Sequence, residues 1–483
     1  MTDGQGRSMN RRPKLGMALL SAEWFYRRGP DGAAPESGRQ LAVIVRRDVD
    51  ELVARVSKFA EPVYPQLITT AAQAEEAAAT YQRAGIDGLL ICSMTWSEDA
   101  PLLRILEATP GTPTLIWCFC GLPGAMSEPL GLVDLFHGSG PVGSLQSSGL
   151  LRRLGRGGPV VVGRYESPEV LSRVEDFARA AACAAELPRV RIGVLPHRCE
   201  VMSSTWVDEI ALRDQIGPAL VPITSSAYER VCEATPSSEI DTFLAWIRNT
   251  YTVRSQTEAS LEKSARASIA LAEVFRRFDL DALAYDDTNE ELLSRVGVRA
   301  GLCVPELFAR GGVVSMEADV GAATTLLILR ALTGKPPMYT EIQNYDLEEN
   351  GVLLSHSGMH DYRLASDPNA ITIVPDPELV EACELPGAFG EYRVKSGPIA
   401  MVNFVQAPEG FRMTVTRADA LDGPVRLAGF PHLWARMATA LPTFFERAIE
   451  RGVTQHWNVV HDPGVTARLE ILSRIVGFDI EII

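Results

Sequence analysis

Two carboxylates, Glu317 and Asp319, flank a single alanine in the segment Val313-Val-Ser-Met-Glu-Ala-Asp-Val-Gly-Ala-Ala-Thr-Thr. In an extended segment, side chains two apart point the same way, so both acids can enter one pocket. An apolar run precedes them and a helix-like run follows, which puts the pair at a strand end, where open α/β sheets bind ligands. A third carboxylate, Glu306, lies 13 residues upstream of Asp319, and a histidine, His456, stands far downstream. Carboxylates suit a hard divalent cation, and Mn²⁺ also accepts an imidazole, so these residue types fit a metal site that moves protons on a polar substrate.

Each residue also has a plainer use. Glu306 follows Pro305, and proline at the first helical position with an acid in the first turn is ordinary helix-start chemistry. Asp319 can cap the helix that follows it, and Glu317 can be the partner of an arginine. Of the seven histidines, His456 opens a strand-like run and His461 closes it, while His356 and His360 share a turn-like loop that can line the same pocket. Trp96 follows an apolar run, at a point where the carboxyl edge of a sheet would place it either to stack on a sugar face or simply to pack against that edge. The chain has no Walker loop, no GxGxxG fingerprint and no GxSxG elbow, which leaves nucleotide binding and serine hydrolysis without support.

The elements that must position these residues can be traced from the patterning. A chain of 483 residues is too long for one core and should form two or three domains. Over the first 165 or so residues, strand signals (14–20, 65–69, 87–93, 112–117) alternate with helical ones (47–60 and 71–84, the latter closed by Gly85), the pattern of a parallel sheet covered by helices. Between Pro123 and Gly158, glycine, serine and proline are frequent and long loops are expected. A second α/β stretch follows, with strands near 189–195, 219–224 and 281–285 and helices near 167–185, 207–215 and 257–278. After a helix at 322–332, the runs from Met338 to about Arg417 are short, β-like and broken by glycine, proline and aspartate, as in a barrel or sandwich. The tail reads as an α/β piece: strand 454–460, helix 465–476 and a last strand from Asp479.

The net charge of −15 argues against a nucleic-acid or anionic-membrane surface, and no run approaches the roughly 18 apolar residues of a membrane span. Eight scattered cysteines without a CxxC pair fit reduced thiols in a cytoplasmic protein. Residues 1–12 are polar and lack the apolar stretch of a signal peptide, so a disordered leader is expected there.

Several stretches resemble the L-fucose isomerase and L-arabinose isomerase superfamily over most of the chain. They include Ile91-Cys-Ser-Met-Thr-Trp, Thr114-Leu-Ile-Trp-Cys-Phe-Cys-Gly, Arg191-Ile-Gly-Val-Leu, Glu200-Val-Met-Ser, Glu391-Tyr-Arg-Val-Lys-Ser-Gly-Pro-Ile and Gln455-His-Trp. The most specific is Met316-Glu-Ala-Asp-Val-Gly-Ala-Ala-Thr with the later Leu332-Thr-Gly-Lys-Pro. The resemblance implies an α/β fold class: two flavodoxin- or Rossmann-like parallel-sheet domains, 13–165 and 166–315, then a mostly β, barrel-like C-terminal domain, 316–483. It implies a metal-dependent aldose–ketose isomerase that works through a cis-enediol on a monosaccharide, typically with Mn²⁺, or with Mg²⁺ or Co²⁺. On the fucose-type pattern, Glu306, Asp319 and His456 hold the metal, and Glu306 and Asp319 are also the acid/base pair. Glu317 and His356 are then sugar contacts, and Trp96 is lent by a neighbouring subunit of a homo-oligomer, a trimer or hexamer. The arabinose-type pattern chooses Glu317, Glu341, His356 and His456 instead. The chain departs from the family in carrying Asn403 where an arginine is usual, and in its loop from His356 to Asp361. A sugar epimerase, a retro-aldol lyase on the same metal site and a non-catalytic sugar-binding protein are the alternatives.

Overall fold

The computed structural model describes residues 11–27, 33–122 and 129–483. The expected leader, apart from Arg11 and Arg12, and residues 123–128 of the expected loop region lie outside the described residues. The chain divides into two compact units, Arg11–Ala185 and Glu186–Ile483.

The Arg11–Ala185 unit is built on five parallel strands in the order Glu61–Val63, Lys14–Leu20, Gly88–Ser93, Thr114–Cys118, Val160–Val162. Its central strands are buried along nearly their whole length, which explains their unbroken apolar sequence. The helix Ala71–Ala84 forms where expected, opened by a capping box between Thr70 and Gln73 and closed by Gly85 at φ 61°. The strand expected at 65–69 lies instead at Glu61–Val63, and Ile68 makes only a single bridge to Leu20. The region expected to hold long loops contains the helices Leu132–His137 and Gly140–Arg153. Two of its glycines serve close packing: a Cβ on Gly140 would fall 2.2 Å from the Phe119 carbonyl oxygen, and one on Gly143 would fall 2.7 Å from Ser93 Cβ.

The Glu186–Ile483 unit has a parallel sheet ordered Val313–Ser315, Ala282–Tyr285, Arg191–Leu195, Ala219–Pro222. A larger sheet follows the order Gly397–Ala407, His456–Val460, Met338–Asp346, Gly351–Ser355, His432–Met437, Gly410–Leu421, Asp479–Ile482. Its pairings are antiparallel except for the last. Gly397–Ala407 also pairs with Gly410–Leu421, so the ladder returns to its starting strand. The tail strands His456–Val460 and Asp479–Ile482 join this sheet rather than forming a separate α/β piece. The helix Val320–Thr333 packs on strands of both sheets and is buried on nearly every side, as its almost continuous apolar sequence requires. Among the described residues, no helix is long and apolar enough to cross a membrane.

The link between the parallel strand Val313–Ser315 and this helix is not extended. Glu317 and Ala318 both adopt left-handed backbone, at φ 56° and 50°, a conformation that costs an L-residue roughly 1–2 kcal/mol. Hydrogen bonds hold the turn: Glu317 N–H donates to Asp287 Oδ1 at 3.2 Å, Ala318 N–H to the Tyr285 carbonyl at 3.2 Å, and Ala322 N–H to the capping oxygen Asp319 Oδ1 at 2.8 Å. Relieving the strain at Ala318 by Ala318→Gly is expected to raise stability by about 0.5–1 kcal/mol, read as a higher urea midpoint at unchanged slope. A lower midpoint would mean that burial of the Ala318 methyl group outweighs the backbone strain.

Candidate metal centre

The register of the antiparallel sheet brings the first two site residues together. Glu341, in the strand Met338–Asp346, pairs with His456 on one side and with Ser355 on the other. Directly opposed residues share a face of the sheet, so Glu341 and His456 are neighbours. His356 follows Ser355 where the strand Gly351–Ser355 ends. Glu317 arrives from the left-handed turn beyond the parallel sheet. Ligating atoms from Glu317, Glu341, His356 and His456 all lie within 4.8 Å of one another.

Both imidazoles are oriented from behind. Nδ1 of His456 donates to Asp319 Oδ2 at 2.6 Å, and Nδ1 of His356 donates to the Ser357 carbonyl at 3.0 Å. The opposite nitrogens therefore face the cluster: His456 Nε2 is 2.7 Å from Glu317 Oε2 and 3.6 Å from Glu341 Oε1, and His356 Nε2 is 3.7 Å from Glu317 Oε1. The buried ring of Tyr339 packs against both, with centroids 4.6 Å from His356 and 4.8 Å from His456. Gln343 donates to Glu341 Oε2 at 3.1 Å and steadies the second carboxylate.

Charge and burial compete here, and charge wins. Burial alone would favour neutral groups, yet the two imidazoles beside Glu317 hold its carboxyl down at about 2. Burial likewise opposes the charged form of His456, but Asp319 and Glu317 outweigh it and raise the imidazole to about 10. His356 is raised against burial by Glu317 in the same way. Without a cation, protons on the imidazoles balance the carboxylates, and a divalent ion can take over that balance. Two carboxylates with two imidazole nitrogens, each imidazole fixed by an acceptor on its far nitrogen, is a donor set that fits a divalent transition ion such as Mn²⁺ better than the all-oxygen shells of Ca²⁺.

Of the residues singled out in the sequence, Glu317, His356 and His456 converge, and Asp319 stands directly behind His456. Asp319 has both oxygens engaged, one with the helix start and one with His456. Glu306 is not brought to this cluster. It is exposed in the first turn of the helix Pro305–Ala309 and lines a separate cavity with Arg310 and Arg330. The physical reason is its place before the strand Val313–Ser315, whereas Glu317 follows that strand, so the two acids serve opposite ends of the sheet. Trp96 belongs to the Arg11–Ala185 unit, where its indole N–H donates to Gln146 Oε1 at 2.8 Å. Outside the fucose-type assignment, sequence reasoning passed over Asp287 and Arg299. Asp287 carried a readable signal, because Asp286-Asp287 directly follows the strand Ala282–Tyr285 as acids at a strand end. The pocket beside the cluster, about 150 Å³, is lined by Glu317, Glu341, His356, Asp287, Arg299 and Gln343 among others.

No family model matches the chain. Among curated proteins, it is similar to the sulfoquinovose isomerases of Alkalicoccus urumqiensis and Priestia megaterium, in each case with 21% identity over 82% of this chain and 85% of the relative. It is also similar to the L-arabinose isomerase of Koribacter versatilis, with 23% identity over 56% of this chain and 55% of that protein. These similarities, at low identity over much of the chain, support a sugar isomerase of the superfamily related to the L-fucose and L-arabinose isomerases.

Proposed function

We propose that this chain is an aldose–ketose isomerase acting on a monosaccharide, and that Glu317, Glu341, His356 and His456 hold the divalent metal it uses, most suitably Mn²⁺. The observation that carries this reading is the convergence of two carboxylates and two pre-oriented imidazoles within 4.8 Å. The superfamily relationship supports the reaction class. When bound, the ion supplies Lewis-acid polarisation of the sugar carbonyl and its neighbouring hydroxyl.

The chain's own residues then do the rest. Glu317 and Glu341 are the two carboxylates that face the pocket, and Glu341 is the more accessible, with its side chain 28% exposed against 11% for Glu317. One takes the proton from C2 of the aldose, giving a cis-enediol, and returns it at C1. The other assists proton movement between the two oxygens. Each positioned acid or base contributes roughly 10²–10⁴-fold. Asp319 is a positioning residue, because one of its oxygens holds His456 and the other caps the following helix. The accompanying architecture is a division into domains 13–165, 166–315 and 316–483, the last barrel-like, in a cytoplasmic homo-oligomer in which Trp96 faces a neighbouring subunit's sugar.

The test is turnover of an aldose/ketose panel in deuterated water, followed by NMR before and after chelation and Mn²⁺ add-back. Isomerisation labels the carbon that receives the proton, and chelation is expected to abolish it. Two fragments would instead mark a retro-aldol lyase, and a C2 epimer an epimerase. Glu317→Gln is expected to remove turnover and metal binding together. Turnover that survives in this variant would overturn the assignment.

Asp319→Asn keeps an oxygen for the helix cap but loses the acceptor for His456 Nδ1–H. Metal affinity is expected to fall about 10–100-fold with the fold intact, as for other groups that orient a metal-binding histidine. Unchanged affinity would remove Asp319 from that role.

Because the His456 proton must leave before its Nε2 can bind an ion, metal affinity should rise with pH toward the value of about 10 held in the metal-free chain. Titration of Mn²⁺ into weakly buffered protein at neutral pH should therefore acidify the solution, and an absence of proton release would contradict the ligand role of His456.

A further inference from the structure

The pocket beside the metal centre contains one guanidinium whose surroundings are divided. Arg299 is buried and its plane lies over Phe389, with Cζ 5.0 Å from the ring centre. Nε and Nη2 donate to the two oxygens of Asp376 at 2.7 and 2.5 Å. This fork fixes the group and neutralises it from behind. The third nitrogen, Nη1, has no such settled partner. Ser357 Oγ at 3.5 Å and Asp287 Oδ2 at 3.4 Å are at the limit of a hydrogen bond. Its close contact is Glu378 Oε2 at 2.6 Å, from a side chain that is 51% exposed. An ion pair with one half in solvent is weakly held. Glu378 thus covers a donor that it can leave.

Asp287 joins this pole to the metal pole. Its Oδ1 accepts from the Glu317 amide at 3.2 Å, and its Oδ2 faces Arg299 Nη1 at 3.4 Å. Glu317, Glu341 and His356 at one pole and Arg299 and Ser357 at the other line the same pocket of about 150 Å³. A sugar with its carbonyl end at Glu317 and Glu341 would bring its far end to Arg299.

Resting on the isomerase reading, we infer that Arg299 is a specificity-determining residue for a sugar that carries an oxyanion on the carbon farthest from its carbonyl, the anion taking the place of Glu378 on Nη1. For a monoanionic sulfonate or carboxylate the exchange is charge for charge, so the net charge of the pocket does not change when the substrate enters. The two N–H bonds of Nη1 and the Ser357 hydroxyl offer donors to such a group. A neutral sugar brings only a hydroxyl to that end, and a hydroxyl does not replace the charge of Glu378. Sulfonate, phosphate and carboxylate share the required chemistry.

The experiment measures dissociation constants and isomerisation on the Mn²⁺-loaded protein for glucose, glucose 6-phosphate, 6-deoxy-6-sulfoglucose and glucuronate. The three anionic sugars tell the oxyanions apart. At least one is expected to bind 10-fold or more tightly than glucose. Glu378→Gln, at the surface and of equal size, should widen that ratio a further 3–10-fold by removing the competing carboxylate. Arg299→Lys, checked for folding by circular dichroism, should erase the ratio. Equal binding of all four sugars, or a ratio that narrows in Glu378→Gln, would overturn the inference. Isomerisation of glucose alone would overturn it while leaving the isomerase reading intact. Charge-selective binding without isomerisation of any sugar would uphold the role of Arg299 and count against the reaction.

Discussion

The grip of two carboxylates on one imidazole is the interaction on which the rest of this site depends. His456 begins a strand of the antiparallel sheet, whereas Glu317 and Asp319 come from the turn that leaves the parallel sheet. Their contacts at 2.7 and 2.6 Å close the junction between the two sheets around a buried charge. Removing one member of such a buried set leaves the others uncompensated, at a cost of about 3–5 kcal/mol. The backbone of His456 is fixed as well: Asn403 Nδ2 donates to its carbonyl at 2.7 Å and to Thr454 Oγ1 at 2.9 Å. A short amide therefore anchors the strand start.

From that grip the division of labour follows. From the left-handed turn at Glu317 and Ala318, two acids separated by one residue meet different nitrogens of the same ring. Asp319 thereby becomes the partner that sets the tautomer, and Glu317 the one that meets the cluster. The Asp287 carboxylate supports the Glu317 amide and faces Arg299, so the strained turn is tied to the far end of the pocket as well as to the metal pole. Strain of this kind persists only where its surroundings over-determine it.

Much of the fold was legible in the sequence because its signals are local. The helix Ala71–Ala84 has its own caps, and the buried strands have unbroken apolar runs. The misreadings arose where a residue's local and tertiary uses differ. Gly140 and Gly143 look like loop residues but permit a helix to approach Phe119 and Ser93 closely. Glu306 stands close to Asp319 in sequence, yet it lies in the first turn of a short helix ahead of the strand Val313–Ser315 and does not join the Glu317 cluster. Glu341 is one acid in a strand of mixed character, and nothing in its own neighbourhood marks it. Only the arabinose-type resemblance named it, and the structure brings it to His456, more than a hundred residues away, through a cross-strand register that is not written locally.

That dependence on register also runs in reverse, from the site to the fold. Slipping Met338–Asp346 by one residue against His456–Val460 would replace Glu341 with Thr340 or Ile342 opposite His456 and turn every side chain to the other face. The strand's burial changes along its length, from buried at Met338–Thr340 to exposed at Gln343–Tyr345, so its exposed half specifies register weakly by hydrophobic pattern. The irregularity between Ile342 and Asn344 adds a local marker on the side facing Gly351–Ser355. On the other side, the charged contacts of Glu341, His456 and Glu317 supply what pattern does not, because a slipped strand would leave the buried imidazolium facing an apolar or hydroxyl group. The cluster that the proposed chemistry requires is thus also a device that holds the sheet in the one alignment where that chemistry can occur.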